Sequence, residues 1–145
     1  MNKYKLKLRK MMRNEKGLTL VELLAVIVIL GIIAAIAIPA IGGIIDNSKK
    51  DAHIANAETL ANAARLYVTS NPGTGEITAE KLSSEGYIES VPKNPDGGSY
   101  SQAKVVIGES DGNITYTITL GTVIVNENIE EIREKGRGII TQPAN

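Results

Sequence analysis

The sequence predicts an α+β protein in which one long N-terminal helix packs on a small antiparallel β-sheet. Three observations support this fold class. Residues 23–45 carry no charged side chain, and an apolar stripe with helical period follows in residues 57–68. Downstream, the dipeptide Asp111-Gly112 separates two segments rich in β-branched residues, which is a strong signal for a β-hairpin.

A basic leader, residues 1–17, opens the chain and ends at Gly17. It carries seven Lys and Arg residues against one acidic residue, Glu15, so its net charge is +6. Because the chain as a whole is formally neutral, the remaining residues carry a net charge of −6. Basic residues beside an apolar segment favour a cytoplasmic N-terminus, which places everything after residue 45 outside the cytoplasm.

The charge-free segment from Leu23 to Ile45 contains 23 residues. At about 1.5 Å of rise per residue, a helix of this length matches the hydrocarbon thickness of a bilayer. One carboxylate, Glu22, lies at its entrance. We therefore predict a membrane-spanning and assembly helix over residues 18–45, followed by an extracytoplasmic domain over residues 46–145.

Three interpretations of this N-terminus compete. A secretory signal peptide would be cut after the small-residue motif at 35–37, but the apolar pattern continues through Ile45. A single-pass membrane anchor explains the length of the apolar segment and the basic residues before it, yet it assigns no role to Glu22. Cleavage between Gly17 and Leu18 creates a new α-amino group one helical turn from Glu22, and this pairing favours the third interpretation.

The new amine would be largely protonated at neutral pH, since an α-amino group has a pKa of about 7.7–8.0. The ammonium and the Glu22 carboxylate can then neutralise each other within one chain. They can equally pair between neighbouring chains packed side by side with a stagger, where an unpaired charge in a low-dielectric bundle is costly. We expect loss of one partner to impair assembly.

Residues 16–24 read KGLTLVELL. This segment resembles the class III leader and N-terminal helix of type IV pilins and type II secretion pseudopilins, whose fold is the one predicted above. The resemblance implies that a membrane prepilin peptidase cuts after Gly17 and methylates Leu18, and that Glu22 guides subunit assembly. Leu18 occupies a position at which the family usually has Phe.

The apolar helix also contains Gly31 and Pro39, which belong to the same resemblance. Pro39 removes one backbone hydrogen bond and clashes with a carbonyl, so we expect a kink or local melting near residues 35–39. Gly and Pro are common in transmembrane helices in general. Alternatively, this stretch lengthens or bends when the subunit passes from lipid into a filament.

The helical period resumes beyond the apolar segment and predicts one helix over residues 18–70, whose second half is amphipathic. The stripe comprises Ala57, Leu60, Ala61, Ala64, Tyr67 and Val68. Its regular spacing places these side chains on one face, which we expect to pack on the sheet of the outer domain. Pro72-Gly73 ends the helix, because the residue before a proline is disfavoured in the α region.

The outer domain has a small core, since the chain contains no Phe, no Trp and only five Tyr. The absence of Cys leaves it without a disulfide. Residues 71–75 predict a turn, and residues 78–85 predict a short helix that Gly86 closes in a left-handed conformation.

Three antiparallel strands are predicted, within a sheet spanning about residues 100–126. They are residues 104–108, 114–120 and 122–126. Ile114, Tyr116, Ile118 and Leu120 alternate with threonines, so we expect them to share the buried face. Residues 127–135 predict a terminal helix capped by Asn126 or Asn128, and we expect the tail from Gly136 to be mobile.

The segments 85–88 and 91–100 look like the helix-to-sheet loop of major pseudopilins and related Gram-positive pilins. The family loop often reads Pro-x-Asp-Pro-Trp-Gly. Here Asn94 stands in place of the acid and Asp96 in place of the Trp. The missing Trp favours a pilus subunit over a secretion pseudopilin.

No catalytic set or cofactor site is predicted, and we expect no enzymatic activity. His53 is the sole histidine and no Cys accompanies it, so we expect a solvated surface residue rather than a zinc ligand. Asp96, Glu109 and Asp111 are candidate calcium ligands, although their spacing matches no EF-hand loop and solvated turn acids are the commoner explanation.

The predicted function is that of a structural subunit that polymerises into a filament. Its expected partners are further copies of the chain, the membrane, a prepilin peptidase and a pilus or secretion assembly machinery. A competence or secretion pseudopilin is an alternative, and a non-polymerising membrane protein that binds a ligand is an alternative from another class. The acidic mature part predicts no direct nucleic-acid binding by the single subunit.

Overall fold

A computed structural model describes the backbone of residues 2–141 and the side chains of residues 19–141. The chain forms two units, Met1–Ile44 and Ile45–Asn145. The first helix, α1, runs from Asn2 to Ser70. Its C-terminal end agrees with the sequence prediction, but it begins sixteen residues earlier than residue 18. The leader contains good helix formers and has no Gly or Pro before Gly17, so nothing interrupts the helix there.

Pro39 lies inside α1, and helical geometry continues on both sides of it. The local melting that the sequence suggested near residues 35–39 is therefore absent from the described helix. Pro39 cannot donate a hydrogen bond to the carbonyl of Ala35, yet the loss of a single bond in a long helix is tolerated. The kink stays a prediction.

The second unit contains four strands and two further α-helices. The strands are β1 (Gly75–Thr78), β2 (Ala103–Ser110), β3 (Asn113–Leu120) and β4 (Ile124–Asn128). The helices are α2 (Ala79–Ser84) and α3 (Ile129–Lys135), followed by a 3-10 helix at Gly136–Ile139. All strands pair antiparallel in the order β1-β2-β3-β4. The predicted α+β fold is thus confirmed.

The first strand corrects the sequence analysis, which predicted three strands and only a turn in residues 71–75. β1 pairs with β2 so that Ile77 lies opposite Val105, and Ile77 is buried. A four-residue strand with one apolar side chain has too little alternation to be recognised. Its pairing with a strand almost thirty residues away stabilises it instead.

The β2–β3 hairpin is confirmed, since Asp111 and Gly112 form its two-residue turn with φ of 53° and 79°. Both angles lie in the left-handed region, as a type I′ turn requires. On β3, Tyr116, Ile118 and Leu120 are buried as predicted, but Ile114 is 50% exposed. Ile114 is the second residue of β3, beside the turn and beyond the edge of the core.

The last strand begins two residues later than predicted. Residues 121–123 form the turn, with Gly121 at a φ of 55° and the amide of Val123 bonded to the carbonyl of Leu120. Asn126 takes a φ of 54° and its amide donates to Oγ1 of Thr119, where the register between β3 and β4 shifts. A bulge of this kind has no clear sequence signal.

Both short helices are capped as the sequence indicates. The hydroxyl of Thr78 accepts from the amide of Lys81, and Gly86 follows α2 with a φ of 80°. The side chain of Asn128 accepts from the amide of Glu130 at 2.9 Å and begins α3. Both caps satisfy a backbone donor that the helix itself leaves free.

The described part of the C-terminal tail, residues 136–141, is more ordered than predicted, and residues 142–145 of that tail lie outside the described residues. Gly136–Ile139 form the 3-10 helix, and the amide of Thr141 donates to the carbonyl of Val123. Two bidentate ion pairs fasten this segment to α1: Arg133 binds Glu58 at 2.7 and 2.8 Å, and Arg137 binds Asp51. Planar guanidinium pairs of this geometry hold two chain segments at a defined distance.

The core lies between the second half of α1 and the inner face of the sheet. Five of the six stripe residues predicted from the sequence are buried, which confirms the helical period: Ala57, Leu60, Ala61, Ala64 and Val68. The sixth, Tyr67, is half-buried and packs its edge on Tyr87. The core is aliphatic and small.

Replacement of Leu60 by Ala should destabilise the second unit strongly. Leu60 is completely buried, so Leu60→Ala leaves a cavity and should lower the free energy of unfolding by about 2–5 kcal/mol. Leu66 provides the matched control, because it lies on the same helix and is 57% exposed. Urea denaturation followed by circular dichroism measures both, and equal losses would contradict the assigned packing.

The Arg133–Glu58 ion pair should make stability depend on pH in the acid range. The hydrogen bonds from Arg133 lower the pKa of Glu58 below its ordinary value. The stabilisation is therefore present above the unfolded pKa of about 4.3 and is lost as pH falls through the lower folded pKa. Glu58→Gln should be less stable than the wild type at pH 7, and the difference should shrink on acidification.

Thermal unfolding at several pH values tests this expectation. Glu131→Gln is the matched control, since Glu131 forms only an exposed ion pair with Lys135 one turn away. A constant difference between wild type and Glu58→Gln from pH 7 down to about pH 2 would contradict the assignment.

Candidate assembly helix and loop anchor

The first unit presents an apolar helix surface that nothing in the described part of the subunit covers. The large aliphatic side chains from Leu20 to Ile44 are each 50–72% exposed. One helix among the described residues, Thr19–Ser70, is long and apolar enough to cross a membrane, judged by length and composition. A contiguous apolar surface of this size requires lipid or other helices around it.

Glu22 lies on this surface and is exposed. Within the described residues no hydrogen bond or ion pair reaches its carboxylate. The surroundings of Gly17 and Leu18, the predicted cleavage and methylation positions, lie outside what the structure describes. The pairing of Glu22 with a new amine at Leu18 therefore stays a prediction.

His53 corrects the sequence analysis, which expected a solvated side chain. It is 1% exposed, and both ring nitrogens form hydrogen bonds. Nδ1 lies 2.8 Å from the hydroxyl of Tyr100, and Nε2 lies 2.9 Å from Oδ2 of Asp96. The helical period of the apolar stripe could have indicated that His53 is buried, because His53 precedes Ala57 by one helical turn and continues the buried face.

Two more α1 side chains reach the same loop. Lys49 lies 3.3 Å from the second carboxylate oxygen of Asp96, and Asn56 donates to both the carbonyl of Lys93 and the hydroxyl of Tyr100. We call Lys49, His53 and Asn56 of α1, with Asp96 and Tyr100, the loop anchor. It attaches residues 93–100, the anchored loop, to α1.

The protonation behaviour of the anchor follows from these contacts. The hydrogen bond with His53, aided by Lys49, lowers the pKa of Asp96 below its ordinary value. Burial raises the pKa of Tyr100, because it disfavours the phenolate. At neutral pH the anchor therefore contains a carboxylate acceptor and a neutral hydroxyl.

The structure does not bring the calcium candidates together. Asp96 is held by His53 and Lys49, and the cation of Lys49 disfavours a metal ion there. Glu109 and Asp111 lie at the β2–β3 hairpin. Among the described residues, no three His, Cys, Asp or Glu side chains form a group that could hold a metal ion.

An open groove of about 510 Å³ lies beside the anchored loop. Its walls are the outer face of α1, including Thr59 and Leu66, and the segment 87–92. Asn56 lines this groove and is also a member of the loop anchor. The position of the loop and the shape of the groove therefore depend on the same side chain.

The chain is similar to proteins of two filament systems. A protein-family profile described as the prokaryotic N-terminal methylation motif matches residues 12–38. The type II secretion system core protein G of Vibrio cholerae serotype O1 is 30% identical over 105 residues, which cover 63% of this chain and 72% of that protein. The protein of the same name from Escherichia coli K12 is 29% identical over 102 residues, 60% of this chain and 70% of that protein.

A type IV pilus protein matches as well. The type IV major fimbrial protein FimA of Dichelobacter nodosus is 32% identical over 100 residues, which cover 69% of this chain and 56% of that protein. No solved structure matches the chain. The methylation motif, the relatives and the helix-on-sheet fold agree, and the chain therefore belongs to the family of type IV pilins and type II secretion pseudopilins.

Proposed function

We propose that the chain is a prepilin that is cleaved between Gly17 and Leu18, methylated at Leu18 and polymerised into a type IV pilus-like filament. Before assembly, its apolar helix spans the membrane with the N-terminus in the cytoplasm and the outer domain outside. A prepilin peptidase processes it, and a pilus or secretion machinery assembles it. The role is structural rather than enzymatic.

The exposed apolar surface of α1 is the observation that carries this proposal. From Leu20 to Ile44, large aliphatic side chains project on all sides of the helix rather than along one stripe. Such a helix is stable in lipid or among other apolar helices, but not in water. Membrane insertion followed by helix-on-helix packing gives this surface a suitable environment at both stages.

Glu22 supports polymerisation over simple anchoring. Its carboxylate has no partner within the described subunit, and an unpaired charge in an apolar bundle is strongly destabilising. Cleavage after Gly17 supplies a cation one turn away on the same chain, or on a staggered neighbour. Repeated along one direction, the second arrangement makes heterologous contacts that do not close, and a helical filament results.

The main alternative within the family is a competence or secretion pseudopilin. The similarity to type II secretion system core protein G favours it. The sequence of the anchored loop argues against a secretion pseudopilin, because Asp96 stands where the family usually has Trp. His53 and Lys49 bind this Asp96. The genes that neighbour this one would narrow the assignment, since a secretin indicates a system of a two-membrane cell and its absence indicates a Gram-positive pilus.

A non-polymerising membrane protein that binds a ligand is the alternative from another class. The open groove between α1 and residues 87–92 is the observation that favours it. Nucleic acid is a poor ligand for the single subunit, because Arg133 and Arg137 are already paired with carboxylates. Sheared surface filaments should contain this protein only if it polymerises.

Processing should be visible in the mass of the mature protein. Filament protein isolated from cells should begin at Leu18 and carry one additional methyl group on its α-amine. Intact-mass and N-terminal peptide mass spectrometry measure both. A chain that begins at Ile38 would support the signal-peptide interpretation, and a chain that retains residues 1–17 would contradict the proposal.

Replacement of Glu22 should separate membrane insertion from assembly. Glu22→Ala and Glu22→Leu should insert normally, because the segment becomes more apolar, but should lower filament yield by about tenfold or more, since the new amine loses its partner. Glu22→Asp is the matched control and should retain part of the yield. Membrane fractionation and filament shearing measure the two steps, and an unchanged yield for Glu22→Leu would remove the proposed role of Glu22.

A further inference from the structure

The loop anchor contains enough fixed hydrogen-bond partners to determine the direction of each donor. The carbonyl oxygen of Lys93 can only accept, so the Asn56 amide must present its NH2 group there. The same nitrogen lies 2.9 Å from the hydroxyl oxygen of Tyr100, and its second hydrogen donates to that oxygen. The orientation of the Asn56 amide is thereby determined.

The hydroxyl proton of Tyr100 must then point toward the ring of His53. Within the described residues, the Tyr100 oxygen has two partners, Asn56 and Nδ1 of His53. Because Asn56 is a donor, Nδ1 is the acceptor that is left for the hydroxyl proton. Nδ1 is therefore unprotonated, and the ring proton of a neutral imidazole lies on Nε2, 2.9 Å from Asp96.

The other protonation states of His53 fit less well. A proton on Nδ1 alone would direct the Nε2 lone pair at the carboxylate of Asp96. A doubly protonated ring would leave the Tyr100 hydroxyl proton without an acceptor among the described residues. Among the described residues, only the form with its proton on Nε2 gives each donor of this cluster an acceptor.

We propose that this series of hydrogen bonds, in which Asn56 donates to Tyr100, Tyr100 to His53 and His53 to Asp96, holds the anchored loop closed against α1. We call this series the latch. His53 is its positioning residue, because it binds the loop at two points. The latch is a property of the single subunit and does not depend on filament formation.

The anchored loop needs these side-chain bonds, because its own backbone bonds do not attach it to the rest of the unit. Its backbone hydrogen bonds are internal, between Asn94 and Gly98 and between Gly97 and Asn94, and a bridge pairs Lys93 with Ser99. Residues 96–99 are exposed and bury little apolar surface. A segment of this kind opens locally at a low free energy unless side chains hold it.

An open latch would change the neighbouring groove. Asn56 lines that groove together with Pro92, which directly precedes the anchored loop. When the loop opens, Asn56 loses its bonds to Lys93 and Tyr100, and its side chain can take another orientation in the groove. The closed and open states therefore present different surfaces on this side of α1.

The ring protonation of His53 is directly measurable, because the chain contains no other histidine. We suggest labelling the full chain with ¹⁵N-histidine, without a histidine tag, and recording ring nitrogen spectra in detergent at neutral pH. The latch requires a protonated Nε2 and an unprotonated, hydrogen-bonded Nδ1. A proton on Nδ1, alone or in a doubly protonated ring, would overturn the proposal.

Hydrogen exchange then tests whether the chain of donors holds the loop. Tyr100→Phe removes the hydroxyl and should speed exchange of amides in residues 93–100 by about tenfold, with β3 unaffected. Tyr87→Phe is the matched control, since Tyr87 packs on Tyr67 outside the anchor and should leave the loop unchanged.

Unchanged exchange in Tyr100→Phe would refute the latch. Asn56→Ala provides an independent variant if Tyr100→Phe does not fold, because Asn56 is only partly buried. It should speed loop exchange in the same way, and no change in the loop would refute the latch equally. In Tyr100→Phe, the ¹⁵N spectrum should also lose the hydrogen-bonded Nδ1 signal of the wild type, because the hydroxyl that donates to Nδ1 is gone.

Discussion

A single constraint underlies this protein: one helix must satisfy two different environments. From Leu20 to Ile44 the helix has aliphatic side chains on every side, whereas its C-terminal half has one buried stripe and polar side chains elsewhere. The first pattern requires lipid or helical neighbours, and the second requires a sheet on one face and water on the other. The remainder of the second unit covers that stripe, and Glu22 is the one carboxylate between residues 18 and 44.

The second unit compensates for a small core with polar connections. It contains no Phe, Trp or Cys, and its buried residues are mainly Ala, Val, Leu and Ile. Three polar sites attach peripheral segments to α1: the bidentate pairs Arg133–Glu58 and Arg137–Asp51, and the loop anchor at His53. Within the described residues no buried side-chain polar atom lacks a partner, so these sites hold the segments in place without an unsatisfied group.

Much of the fold was predictable because its signals are local. The apolar stripe, the Asp111-Gly112 turn, the Asn128 cap and the end of α1 each depend on residues close in sequence. The first strand was not predictable, since β1 holds one buried residue and depends on its pairing with β2. The tail after Gly136 was also misjudged, because its order comes from Arg137 binding Asp51 on a distant helix.

The sequence alone determined the basic N-terminal segment, the apolar span with Glu22 and the family, because each is encoded by residue types at short, fixed spacing. Only the tertiary structure determined the burial and the hydrogen-bond partners of His53. A lone histidine beside charged neighbours reads as solvated, and only the folded chain brings Asp96 and Tyr100, more than forty residues away, onto its two nitrogens. Hydrogen-bond partners of a buried polar group are set by the path of the backbone, and that path depends on packing across the whole unit.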